Sequence, residues 1–85
     1  MNEVDRIRQL IWTALVEPAI QRGQSQVMFD WQTVVDHVRA AGIRGNQANI
    51  QNALESWDDR RISVRWMGQR RGRDKRLAYV IDVAD

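Results

Sequence analysis

The sequence predicts a single α+β domain in which three helices and a short strand precede a C-terminal β-hairpin. Apolar residues first recur at the three-and-four spacing of helices and then, after Asp58 and Asp59, at every second position, as in strands. A basic, glycine-containing stretch separates two alternating runs, as in the tip of a hairpin. Because 85 residues can enclose only one core, we expect one domain over residues 1–85.

The first helix is predicted from an apolar stripe that begins near the N-terminus. Pro18 disfavours helical dihedral angles in Glu17 and lacks a backbone N–H, so the helix should end or kink there. We expect Ile20 to continue the packing in a last turn. The stripe consists of Val4, Ile7, Leu10, Ile11, Ala14 and Leu15.

A short strand and a second helix follow a polar loop. Residues 26–29 form an apolar, partly β-branched run that is long enough for a short strand. Asp30 precedes an apolar stripe that starts at Trp31, which makes its carboxylate the predicted N-cap. The second helix should run to about Ala41, with Gly42 as the left-handed residue that ends it.

The third helix is predicted over residues 46–58, directly after a tight turn. Residues 42–45 contain two glycines and are all that separates this helix from the second one. Asn46 is the predicted N-cap. The two helices and the turn together predict a helix-turn-helix. The buried stripe of the third helix is Ile50, Ala53, Leu54 and Trp57.

The predicted hairpin carries most of the positive charge of the chain. Residues 60–76 hold eight basic residues and one acidic residue, a local charge of +7 in a chain whose net charge is +2. One end of the molecule should therefore attract a polyanion, although a solvated charged loop is the alternative. The inward positions of the two strands are Ile62, Val64 and Trp66, and then Leu77, Tyr79, Ile81 and Val83.

Several classes of function are disfavoured by the composition. The chain has no cysteine, which excludes disulfides and thiolate metal sites and fits a reducing cytoplasm. No apolar run approaches the roughly 20 residues of a membrane span, and the acidic start does not resemble a signal peptide, so we expect a cytoplasmic protein. The single His37 and the adjacent Asp58 and Asp59 form neither a triad nor a metal site. We therefore expect no enzymatic activity, cofactor, metal or small-molecule substrate.

The order of the predicted elements resembles the winged helix-turn-helix family over nearly the whole chain. That order is helix, strand, helix, turn, helix, strand, basic loop, strand. The resemblance implies a three-helix core, a C-terminal hairpin wing and binding to double-stranded DNA. It places the helix 46–58 in the major groove and the wing 68–76 along the backbone or in the minor groove. We therefore expect a sequence-specific transcriptional regulator, or a plasmid or phage accessory factor.

The outward face of the third helix is rich in amides and uncharged in its first turns. Asparagine and glutamine side chains offer a donor and an acceptor together, which matches adenine N6 and N7, and the small Ala48 lets the helix approach the bases. A merely solvated polar face is the alternative, although asparagine is a poor helix former. The candidate base-reading residues are Asn46, Gln47, Ala48, Asn49, Gln51 and Asn52.

The turn and the wing supply the candidate phosphate contacts. Arginine and lysine neutralise phosphates, and arginine is also attracted into a narrow minor groove. Arg44 lies in the predicted turn, and Arg65 lies on the strand face opposite Val64 and Trp66. The candidates are Arg44, Arg65, Gln69, Arg70, Arg71, Arg73, Lys75 and Arg76.

A homodimer is the expected assembly, because one small module buries limited surface on DNA and two half-sites multiply affinity. Trp12, beside the stripe of the first helix, would widen that face for a second subunit. The alternative is a winged-helix interaction module whose basic wing docks an acidic protein. An uncharged amide face beside a cationic wing favours DNA, and the lack of an exposed aromatic array disfavours RNA.

Overall fold

The computed structural model describes residues 2–67 and 78–84 and has the predicted α+β architecture. In these residues, one long helix and two shorter ones pack on the inner face of a three-stranded antiparallel sheet. The elements are α1 (Glu3–Ile11), a π-helical segment (Trp12–Val16), α2 (Glu17–Gln21), β1 (Gln26–Asp30), α3 (Trp31–Ala40), α4 (Gln47–Glu55), β2 (Ile62–Met67) and β3 (Ala78–Val83).

The segments α1, π-helix and α2 form one continuous helix, because the backbone stays right-handed helical at both junctions. Ile11 has φ −61° and ψ −43°, and Glu17 has φ −59° and ψ −45°. Of the two predicted outcomes near Glu17, an end of the helix is wrong, since the chain remains helical to Gln21.

Pro18 is accommodated in the first turn of α2, directly after the π-helical segment. The Glu17 N–H donates to the carbonyl of Trp12, five residues back instead of four. This wider turn separates the proline from an α-helical interior, where its ring would press on a carbonyl. The extra residue also rotates the following side chains by about 100°. Ala19 consequently lies in line with Ile11 and is only 1% exposed. Ile20, predicted to pack in the last turn, is 39% exposed, so that prediction is wrong.

Both predicted N-caps are confirmed. The Asp30 carboxylate accepts from the backbone N–H of Thr33 at 2.8 Å and from its hydroxyl at 2.6 Å. The side-chain oxygen of Asn46 accepts from the Asn49 N–H at 2.8 Å. Gly42 takes the predicted left-handed conformation after α3, with φ +70°. Local signals therefore define where α3 and α4 begin and how α3 ends.

Helix α4 is shorter than predicted and ends at Glu55 instead of residue 58. Ser56 leaves the helical region with φ −109° and ψ 19°, and its hydroxyl donates to the carbonyl of Asn52. Trp57 lies beyond the helix, partly buried against the core. Trp57 thus reaches the core as predicted, but from the loop that follows α4.

The sheet has the order β1–β3–β2, and both neighbouring pairs are antiparallel. In the central strand, Tyr79 pairs with Phe29 on one side and with Trp66 on the other. The rings of Phe29 and Tyr79 stack with centroids 5.9 Å apart, and Trp31 lies 6.4 Å from Tyr79. The end of the sheet next to residues 68–77 is therefore built from aromatic side chains on its inner face.

The prediction that Trp66 is a core residue is wrong. Its ring is on the inner face, as the alternation predicts, but it is 43% exposed while Tyr79 beside it is fully buried. An edge position does not by itself explain this exposure, because Phe29 on β1, the other edge strand, pairs with the same Tyr79 and is only 7% exposed. Alternation of apolar residues predicts which side of the sheet a side chain faces, but it does not predict how completely other residues cover that side chain.

The core lies between the helices and the inner face of the sheet, and the turn before α4 is pressed into it. A Cβ atom on Gly45 would lie 2.9 Å from Cγ1 of Val38 and 3.3 Å from Ile50 and Ile7. Glycine is therefore required here by close approach. The buried cluster consists of Ile7, Ile11, Val16, Phe29, Val34, Val38, Ile50, Ala53, Leu54, Ile62, Tyr79 and Ile81.

Candidate nucleic-acid interface

Helix α4 turns the expected amide side toward solvent. Its buried side is formed by Ile50, Ala53 and Leu54. Ala48 and Asn52 lie on the opposite side and are exposed. Of the other candidate base-reading residues, the exposed ones are Asn46 and Gln47, and the half-buried ones are Asn49 and Gln51.

Two of these amides are oriented by side chains one turn further on. The side-chain oxygen of Asn52 lies 2.5 Å from the Ser56 hydroxyl, whose one hydrogen is shared between this oxygen and the backbone carbonyl of Asn52. The amide nitrogen of Gln51 makes a long contact of 3.5 Å with the carboxylate of Glu55. A carboxamide has two donor hydrogens and two acceptor lone pairs, so the Ser56 contact leaves the donors of Asn52 available for a base. Both contacts restrict the rotamers of the amides.

Arg8 of α1 holds the C-terminal end of α4. Its Nε donates to the carbonyl of Ala53 at 3.0 Å, and its Nη2 donates to the carbonyl and hydroxyl of Ser56 at 3.1 and 2.9 Å. A cation at the carbonyl end of a helix satisfies orphan acceptors and opposes the negative end of the helix dipole. Sequence reasoning missed Arg8, because its partners lie more than forty residues away. It is a positioning residue for the candidate interface.

Two exposed arginines lie close in the chain to the start of α4. Arg44 is in the turn, as predicted, and Arg39 is in the last turn of α3. Sequence reasoning missed Arg39, whose one signal is its place beside the helix-turn-helix turn. In the described part of the chain, the ion pairs are Asp5–Arg8, Asp59–Arg61 and Arg65–Asp82, so neither Arg39 nor Arg44 belongs to one.

Arg65 lies on the sheet face opposite Val64 and Trp66, as predicted. It lies on the outer face of the sheet, where its Nε donates to Asp82 at 2.9 Å. Gln26 on β1 donates to the same carboxylate at 2.8 Å. The Gln26 hydrogen bond, and after it Arg65, lowers the pKa of Asp82 below its ordinary value, against a partial desolvation that raises it. These contacts link all three strands, and the phosphate contact expected of Arg65 stays a prediction.

The remaining wing candidates lie outside the described residues. The residues on either side of them are described: Met67 at the end of β2 pairs with Ala78 at the start of β3. The chain therefore leaves and re-enters the sheet at adjacent positions, which confirms a hairpin connection between the two strands. The candidates in that connection are Gln69, Arg70, Arg71, Arg73, Lys75 and Arg76.

Three further residues from the sequence analysis, Asp59, Trp12 and His37, have the following surroundings in the structure. Asp59 accepts from the Arg61 backbone N–H at 2.9 Å in the loop before β2. The guanidinium carbon of Arg61 lies 5.3 Å from the ring centroid of Trp12, which is half-buried. The role of Trp12 at a subunit interface stays a prediction. His37 is half-buried on α3.

Over residues 2–67 and 78–84, no cluster of three or more carboxylates, imidazoles or thiols is grouped as a metal site would require. None of the helices in these ranges combines the length and the apolar content that crossing a bilayer requires. No protein-family model matches the chain, and comparisons with curated proteins and with solved structures find no significant match.

Proposed function

We propose that this protein is a winged helix-turn-helix module that binds double-stranded DNA in a sequence-specific way. In this proposal α4 enters the major groove and the basic hairpin connection lies along the backbone or in the minor groove. The observation that carries it is the outward face of α4, where amide side chains surround Ala48 while Arg44 precedes the helix. The strand order β1–β3–β2 supports it, because it places the hairpin that would be the wing within one sheet.

The chemistry of α4 suits base readout. An α-helix with its side chains is about 10–12 Å wide, which fits a major groove of about 12 Å. Gln47 and Asn52 can each pair with adenine through one donor and one acceptor, and Ala48 between them allows close approach. The first acidic residue on α4 is Glu55, at its C-terminal end. The N-terminal half of the helix, which would contact bases, is free of negative charge.

The phosphate contacts in this proposal come from Arg44 and from the basic residues of the hairpin connection. Arg39 joins them, because it is exposed at the same end of the helix pair. Arg65 is left out, because Asp82 engages its guanidinium on the outer face of the sheet. We further propose a homodimeric regulator or a plasmid or phage accessory factor that acts in the cytoplasm.

The test is fluorescence anisotropy of a labelled random duplex titrated with the full chain at several salt concentrations, followed by selection of bound sequences. Affinity that falls steeply with salt and a selected motif, especially a palindrome, support the proposal. No binding at low salt overturns it and points to an acidic protein as the partner of the basic hairpin.

A matched control for this test is Arg22→Ala. Arg22 is exposed just after α2, shortly before β1 begins at Gln26. Gln26 pairs with Asp82, at the opposite end of the sheet from the Met67–Ala78 pair that flanks the hairpin connection. Its removal lowers the net charge by the same amount as removal of one hairpin arginine. The control should leave the salt dependence unchanged.

A further inference from the structure

A cavity of about 310 Å³ lies between α3 and the start of α4. Its volume is at the lower end of the volumes that proteins use for small organic ligands. The lining residues are Trp31, Gln32, Val35, Val38, Arg39, Ile43, Gly45, Gln47 and Ile50.

The cavity combines an apolar floor with a polar rim. Val38 and Ile50 belong to the buried core and form part of the floor, and the half-buried Trp31 adds the flat face of an indole. The polar lining residues Arg39 and Gln47 are both exposed. Polar groups make up more of the accessible lining than the apolar floor does, and the half-buried Trp31 is the aromatic side chain of the lining.

One cation and no acid are found among the lining residues. Arg39 belongs to none of the ion pairs among the described residues. The paired N–H donors of its guanidinium can therefore bind a carboxylate of the ligand. Gln32 is held in place, because its amide nitrogen donates to Asp36 at 2.9 Å. The nearby carboxylate of Asp36 is therefore directed at Gln32. The net charge of the lining favours an anionic ligand.

We propose that this cavity binds a small molecule that carries one flat apolar ring and one carboxylate. The ring lies against Trp31 over the apolar floor, and the carboxylate takes paired hydrogen bonds from the Arg39 guanidinium. Gln47 donates to the same ligand from the opposite wall. The class of ligand is thus a small aromatic carboxylate.

The cavity shares Gln47 with the amide face of α4, which gives the ligand a regulatory effect. A bound carboxylate neutralises Arg39 and occupies Gln47, so it lowers the affinity for DNA. This second step rests on the proposed function, whereas ligand binding in the cavity does not. The two steps are therefore tested separately.

The first test titrates the ¹⁵N-labelled full chain with benzoate and indole-3-acetate, and with their uncharged amides as matched probes. We expect saturable shifts of the backbone signals of the lining residues for the carboxylates, and binding about tenfold weaker for the amides. Arg39→Gln should weaken carboxylate binding about tenfold and leave the amides unaffected. Arg22→Gln, which removes the same charge at the other end of the sheet, should change neither.

The proposal is overturned if no saturable shifts are seen up to about 10 mM probe. That concentration is well above the dissociation constants of weak but specific ligands. Shifts that Arg39→Gln leaves unchanged overturn it as well. The folding of Arg39→Gln and Arg22→Gln is checked by the dispersion of their backbone amide signals, because an unfolded variant would lose that dispersion.

The second test adds the tighter probe to the DNA anisotropy experiment. A fall in DNA affinity for the wild type but not for Arg39→Gln supports regulation. If the probe binds and no duplex does, the proposed function fails and the ligand site stands. If DNA binds and the probe does not, the ligand site fails and the proposed function stands.

Discussion

The guanidinium of Arg8 on α1 donates to the carbonyl of Ala53 near the end of α4, 3.0 Å away and 45 residues further along the chain. The same group also reaches the carbonyl of Ser56 at 3.1 Å. Because these carbonyls belong to the end of α4, the contact satisfies acceptors there and ties that end to α1. The candidate interface is thus positioned by a residue that does not belong to it.

Replacing Arg8 by alanine should lower the free energy of unfolding by about 1 to 2 kcal/mol, since the variant cannot make the charged hydrogen bonds to the end of α4. Urea denaturation followed by circular dichroism measures the change. Arg6→Ala is the matched control, because Arg6 is an exposed arginine on the same helix. An equal decrease in both variants would show that the Arg8 hydrogen bonds do not stabilise the fold.

Gly45→Ala should destabilise the protein by about 1 to 3 kcal/mol through overpacking. The added methyl would lie 2.9 Å from Cγ1 of Val38, a stiff β-branched side chain in the core. In a double-mutant cycle by urea denaturation, Val38→Ala should remove part of this cost.

Gly42→Ala is the comparison for that cycle. Its cost comes from the positive φ of +70°, with no heavy atom within 4 Å of the added Cβ, so Val38→Ala should not relieve it. Additivity of Gly45→Ala with Val38→Ala would contradict the close approach of Gly45 to Val38.

Acid should weaken the protein partly through Asp30. The hydrogen bond from the Thr33 hydroxyl, and after it that from the Thr33 N–H, lowers the pKa of Asp30 below its ordinary value of 3.8. A folded-state pKa below the unfolded one means that the stabilisation is present above about pH 4 and is lost as pH falls through the lower folded value. Asp30→Asn keeps a capping oxygen but does not titrate.

Urea denaturation of the wild type and of Asp30→Asn between about pH 2 and 7 tests this linkage. The stability of the wild type should fall more steeply below pH 4 than that of the variant. Parallel curves for the two proteins would refute a coupling between the Asp30 charge and the start of α3.

The combined replacement of Arg70, Arg71 and Arg73 by alanine should weaken binding to every duplex. The slope of log affinity against log salt should become shallower by about 0.9 for each phosphate that the variant no longer neutralises. Arg65→Ala should leave that slope unchanged, because Asp82 engages this side chain away from α4. An unchanged slope in the triple variant would remove the hairpin from the interface.

Replacing Gln51 or Asn52 by alanine should cost about 1 to 3 kcal/mol on the preferred sequence and little on random DNA. Anisotropy with the selected duplex and with a scrambled duplex measures both. Gln9→Ala, an amide exposed on α1, is the control and should affect neither duplex. Equal weakening on the two duplexes would show that these amides do not read bases.

The sequence alone determined the α+β class and the starts of α3 and α4. Asp30 and Asn46 act on N–H groups three residues away, and Gly42 acts through its own backbone angle. Such effects are local, so residue type and spacing are enough to predict them. The outward position of Ala48 and Asn52 also followed from the helical period.

Tertiary structure decided the features that depend on residues far apart in the chain. The wide turn before Pro18, the end of α4 at Glu55 and the exposure of Trp66 were not predicted. The cavity between α3 and α4 was not predicted either. Each depends on which surfaces meet, and a periodic pattern indicates the side that a residue faces without indicating what covers it.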